Sequence, residues 1–127
     1  MTSVPPYGIR VPMLLGGVAA RELAVVLNDW GMDAKPVSEE LGVASAIKMC
    51  RSVMIKGLEA LTLECFLAAH RAGVEPQIFQ SLSHSFPGLD WPQMVEYNLQ
   101  RMANHGTRRA HEMEEVADTL RELGIDL

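Results

Sequence analysis

Lys48, Arg51 and Ser52 bring two cations and a hydroxyl together within five residues, in a stretch whose neighbours are Ala46, Ile47, Met49 and Cys50. A lysine that leaves water unpaired loses several kcal/mol. Lysine in such company therefore either runs its stem along the apolar surface to carry the ammonium into solvent, or faces a cavity holding something anionic or reactive. In the second case the amine, with Arg51 beside it, can hydrogen-bond a substrate hydroxyl and take or return its proton. In the first it is a solvated lysine paired with Glu39 or Glu40.

Arg108-Arg109 is the second candidate group. The pattern puts the pair just inside a helix start, where anions rather than cations are favoured. It reads either as a fork for a carboxylate or phosphate, or as a solvated pair offset by Glu112, Glu114 and Glu115. Metal chemistry fits poorly. His111-Glu112-Met113-Glu114-Glu115 begins like a HExxH zinc helix but has Glu115 where the second imidazole is required. His70, His84 and His105 fall on separate elements, so no metal site is expected. Gly16-Gly17 hints at an anion-binding turn, yet the chain has neither GxGxxG nor the GK[ST] ending of a phosphate loop. A tight strand-to-helix turn is the simpler reading.

The elements that must position these residues fall into two kinds. Val11–Leu15 reads as a short strand closed by Gly16-Gly17. Residues 19–30 read as an amphipathic helix through Leu23, Val26, Leu27 and Trp30, stopped by Gly31, and residues 32–37 as a second strand weakened by Pro36. From Val43 onward strands disappear. Residues 43–72 carry no proline and one internal glycine, and end at Gly73, which predicts one helix of about thirty residues, far beyond the usual 8–20. At about 100° per residue, Cys50, Met54, Gly57, Leu58, Leu61, Cys65 and Ala68 share one face and Lys48, Ser52, Ile55 and Glu59 the other. Shorter helices are expected over 75–82, from an Asp90 cap to Gly106, and from a Thr107 cap to Leu120, with 83–90 as a loop.

The 127 residues suffice for one domain's core. A net charge of −5, with eleven dispersed cations, argues against nucleic acid and anionic membrane as partners. No apolar run approaches the roughly 20 residues needed to span a bilayer, and the first six residues lack the basic and apolar regions of a leader. Cys50 and Cys65, about 22 Å apart on one predicted helix, cannot pair with each other, and free thiols suit a reducing cytoplasm.

Gly42 followed by Lys48 at the opening of a very long helix, directly after a strand-helix-strand end, resembles the β-hydroxyacid dehydrogenase superfamily. That superfamily includes 6-phosphogluconate and 3-hydroxyisobutyrate dehydrogenases. Ala44-Ser45-Ala46-Ile47-Lys48-Met49-Cys50-Arg51-Ser52 and Arg108-Arg109-Ala110-His111-Glu112-Met113 are similar to a branch of phosphogluconate-dehydrogenase-like proteins whose helical C-terminal domain has no assigned function.

The resemblance implies a mainly α chain. Residues 1–41 would be the end of a Rossmann-like NAD(P)-binding domain, and residues 42–127 a 6-phosphogluconate-dehydrogenase C-terminal-like helical domain for substrate binding and dimerisation. It implies Lys48 as catalytic acid/base, with Ser52, Arg51 and Arg109 holding a small anionic hydroxyacid. It also implies a homodimer through the long helix. NAD or NADP serves the full-length family, and none is expected on this chain alone, because the glycine-rich turn and the ribose-binding acid are not in it. The family's KxxxN pattern would put asparagine at position 52. Val4-Pro5-Pro6-Tyr7-Gly8 stands where other members carry a Ser-Gly-Gly turn. Both departures imply an altered grip on the substrate. A non-catalytic helical dimerisation or binding module is the alternative.

Overall fold

The computed structural model describes residues 4–125; positions 1–3, part of the stretch searched for a leader, and 126–127 lie outside the described residues. The chain forms two compact units, Met1–Ser52 and Val53–Leu127. It is mostly helical, with a small parallel sheet near its start.

In the first unit an irregular turn of helix, α1 (Val4–Tyr7), and a short 3-10 turn (Gly8–Arg10) precede strand β1 (Pro12–Gly16), helix α2 (Ala20–Asp29) and strand β2 (Asp33–Ser38). The predicted strand-helix-strand unit therefore forms, with β1 and β2 parallel and Pro12 level with Asp33. Pro36 has no N–H for the ladder, and the register slips next to it: Leu15 pairs with Pro36, but Gly16 pairs with Ser38. Asn28 ties the end of α2 to β2 by donating from Nδ2 to the Ala34 carbonyl at 2.9 Å and accepting from the Ala34 N–H at 2.8 Å.

The buried face of α2 differs from the expected one. Ala20 and Ala24 are buried, while Leu23, Val26 and Trp30 are exposed. Two strands offer a narrow surface, and alanine lets the helix approach it closely; the larger side chains are left facing outward.

Helix α3 (Val43–Ala72) spans the whole predicted length. It stops at Gly73, whose φ of +70° favours glycine, with Gly73 N–H bonded to His70 O and Val74 N–H to Ala69 O, a pattern that closes the last turn. Its first ten residues belong to the first unit and the rest to the second. The two predicted faces differ in burial only in part, since Lys48 is exposed and Ile55 half-buried although both were placed with Ser52 and Glu59. Ser52, Glu59, Thr62, Phe66 and Ala69 are buried, and Cys50, Met54, Leu58, Leu61 and Cys65 are exposed.

In the second unit α4 (Glu75–Ser85) reaches three residues into the predicted loop, because no glycine or proline interrupts Ser83–Ser85 and the chain turns only before Pro87. Phe79 of α4 packs on Phe66 with ring centroids 4.7 Å apart. Helix α5 (Trp91–Glu122) begins at the predicted cap, where Asp90 Oδ1 accepts the Gln93 N–H at 3.1 Å.

The predicted break at Gly106-Thr107 does not occur, and α5 is continuous across it. Glycine inside a helix costs about 1 kcal/mol. Arg101 and Arg109, on either side of Gly106, are both anchored to α3, and that anchoring outweighs the cost. Among the described residues no helix is long and apolar enough to cross a membrane.

Candidate functional site

Lys48, Arg51 and Ser52 occupy the second and third turns of α3. Lys48 and Ser52 are one turn apart on the same side of the helix, and Arg51 stands next to Ser52. Lys48 and Arg51 are exposed and Ser52 is buried. Lys48 makes no ion pair among the described residues. Glu39, one of its expected partners, instead faces Arg21 at 3.8 Å. The lysine thus presents its side chain to solvent near the start of a long helix.

Arg109 has a different setting. It lies mid-helix rather than at a helix start, so the mismatch with a helix N-terminus that singled it out disappears. Its side chain is only 8% exposed and Glu59 only 1%, with Arg109 Nε 2.7 Å from Glu59 Oε2. That approach is an ion pair without hydrogen-bond geometry. The directed bonds run from Arg109 Nη2 to Glu59 Oε1 at 3.3 Å and from Nη1 to Glu112 Oε2 at 2.8 Å. Arg101 donates from Nε to Glu59 Oε1 at 2.7 Å and from Nη1 to the Tyr97 hydroxyl at 3.2 Å. Lys56 Nζ reaches Glu112 Oε2 at 3.1 Å, and Arg108 stands 3.7 Å from Oε1 of the same residue.

Four cations therefore surround two carboxylates between α3 and α5. Burial works against the Arg101 charge, but the hydrogen bond and charge of Glu59, with a smaller part from Tyr97, more than offset it and raise its pKa above the ordinary arginine value. Below this cluster Asn98 Nδ2 donates to Thr62 Oγ1 at 3.0 Å, and Thr62 donates to Leu58 O at 2.6 Å. These ion pairs and hydrogen bonds join α3 to α5, beside buried Phe66 and Ala69 on α3 and Val95 and Val116 on α5.

The fork read at Arg109 exists, and it grips internal carboxylates. Lys56, Glu59, Arg101 and Glu112 were not singled out as site residues. The signal available was Glu59 itself, one of two carboxylates in α3 and the one on the face opposite the exposed stripe.

The remaining sequence candidates are placed plainly. His111 is exposed and lies 3.3 Å from Glu114, and no group of three or more metal-binding side chains occurs among the described residues. The Gly16-Gly17 turn is closed on itself: Gly17 N–H donates to Ser38 O at 2.9 Å, and a Cβ on Gly17 would meet Leu41 Cδ2 at 3.2 Å. The Gly17 donor is thus used inside the chain, as the tight-turn reading expects.

Comparison with known proteins places these residues in context. The chain is 27% identical over 107 residues to the uncharacterized 28.5 kDa protein in 7S RNA 5′ region of Methanothermus fervidus, covering 84% of this chain and 42% of that protein. All of it superposes on part of a conserved hypothetical protein from Sinorhizobium meliloti 1021, of known crystal structure, with a TM-score of 0.87 and 47% identity, again over 42% of the other chain. This chain therefore spans less than half the length of either relative. Residues 69–127, which hold Arg101, Arg109 and Glu112, match the family described as domain of unknown function (DUF1932), a C-terminal domain of NAD(P)-binding 3-hydroxyisobutyrate-dehydrogenase-like proteins.

Proposed function

We propose that this chain is the C-terminal portion of an NAD(P)-dependent oxidoreductase acting on a small hydroxyacid, with the 6-phosphogluconate-dehydrogenase type of helical domain for substrate binding and pairing. The observation that carries the reading is the match of residues 69–127 to a domain found at the C-terminus of dehydrogenase-like proteins. That the chain matches only 42% of each of two longer relatives supports reading it as a portion of a larger protein. In this reading Lys48 is the acid/base: its Nζ exchanges a proton with the substrate hydroxyl as that carbon is oxidised to a carbonyl. Arg51 attracts the substrate carboxylate and Ser52 orients it, while Arg109, expected from the resemblance to share in that grip, is already engaged by Glu59 and Glu112. NAD or NADP belongs to the longer protein, and the residues of this chain do not hold it. The protein works in the cytoplasm as a homodimer through α3.

The test is complementation. The portion of the Sinorhizobium relative that lies outside the region this chain matches, produced separately, is mixed with this chain, and reduction of NAD or NADP is followed with a panel of small hydroxyacids. Turnover only in the mixture supports the oxidoreductase reading. Dinucleotide binding by the other portion, with no turnover on any hydroxyacid in a stable complex, favours a non-catalytic dimerisation module. The exposed apolar stripe of α3 is the observation that recommends that second reading.

A further inference from the structure

The two strands of the first unit have unlike outer edges. In a parallel ladder the N–H and C=O of one residue point to the same neighbouring strand, and successive residues alternate sides. Ala34 of β2 uses both groups on the Asn28 side chain, which donates to its carbonyl at 2.9 Å and accepts its N–H at 2.8 Å. Ala34 therefore faces away from β1, while Asp33 and Lys35 face toward it. Met13 is level with Ala34 and Leu15 with Pro36, so Met13 and Leu15 bond to β2, and Pro12, Leu14 and Gly16 face the other way. Gly17 continues the alternation by donating to Ser38 O at 2.9 Å.

The outer edge of β2 is closed. The Asn28 amide stands in for a neighbouring strand at Ala34, and Pro36, two residues on and facing the same way, has no N–H to offer. The outer edge of β1 is open. Leu14 and Gly16 have no backbone partner outside the β1–β2 ladder among the described residues, and Pro12, Leu14 and Gly16 are all exposed. A row of unpaired main-chain groups is a template for another strand. The setting asks for one, since parallel sheets occur almost only well covered and a two-stranded sheet is marginal by itself. Leu14 is 43% exposed and offers an apolar side chain for the new neighbour to pack beside.

We infer that β1 accepts a further strand along its outer edge, which makes β1 an interior strand and leaves β2 as the end of the sheet. The occupant is a strand from the part of the longer protein outside this chain. This rests on the reading of the chain as a portion of a larger protein, and it adds the surface by which the rest attaches. Length argues for that occupant: all of this chain, β1 and β2 included, superposes on the Sinorhizobium protein, yet covers only 42% of it. Leu14 N–H and Gly16 N–H then donate to carbonyls of the added strand, and Leu14 C=O accepts an N–H from it. A strand added beside β2 would have to displace Asn28 and would find no donor at Pro36.

The test is amide hydrogen exchange, read residue by residue on this chain and on the whole Sinorhizobium protein. In this chain Leu14 and Gly16 exchange faster than Met13 and Leu15, whose N–H groups are in the ladder. In the Sinorhizobium protein the positions aligned with Leu14 and Gly16 are slowed about a hundredfold or more relative to this chain. Exchange at those two positions that is as fast in the longer protein overturns the inference. It leaves the portion reading untouched, because that is judged by turnover in the mixture, whichever edge is used. Slow exchange of Leu14 and Gly16 in this chain by itself also overturns the inference, since the edge would already be covered.

Discussion

Glu59 shows why a single carboxylate can matter more than a conventional core position. It is almost wholly buried, and two guanidiniums converge on it from α5. A buried ion pair is worth little against a well-packed apolar substitute, but removing one member strands the others. Here the stranded groups would be cations already in excess. Glu59→Ala is therefore expected to destabilise the second unit by about 3–5 kcal/mol in urea unfolding. Arg108→Ala, whose partner is half-solvated and 3.7 Å away, should cost less than about 1 kcal/mol. Equal losses in the two variants would show that burial is not what gives Glu59 its weight. Lys48 belongs to the opposite class: exposed and making no ion pair among the described residues, it is expected to contribute almost nothing to stability, so its replacement isolates chemistry from folding.

At the scale of elements, most boundaries could be read in advance because their causes are local. Gly73 stops α3, Asp90 caps α5, and Gly31 follows α2. Replacing Asp90 by Ala should cost about 0.5–2 kcal/mol through loss of the cap. The misread elements share a different cause. Gly106-Thr107 looks like an end and a new start, yet α5 runs through it because Arg101 and Arg109 bind a carboxylate on another helix, a contact no local pattern reveals. Gly106→Ala consequently should stabilise the protein by about 0.5–1 kcal/mol, since an added Cβ meets nothing within 4 Å. A loss of stability would mean that the glycine is needed for a bend. The outward-facing Leu23, Val26 and Trp30 of α2 were also misjudged, because helix periodicity predicts an apolar face but says nothing about whether a surface exists to cover it.

For the whole molecule, the sequence showed a strand-helix-strand opening followed by helices, and the structure has that order. The site was legible in part. Lys48, Arg51 and Ser52 stand together on α3 as their spacing required, whereas the true setting of Arg109 depended on Glu59 fifty residues away. The central claim is that Lys48 transfers the proton in a hydroxyacid oxidation. It is tested most directly by turnover of the complemented protein with Lys48→Ala, alongside thermal unfolding of the same variant. The account predicts a fall of about 10²-fold or more in kcat with an unchanged unfolding midpoint. Near-normal turnover in a folded Lys48→Ala protein would contradict it.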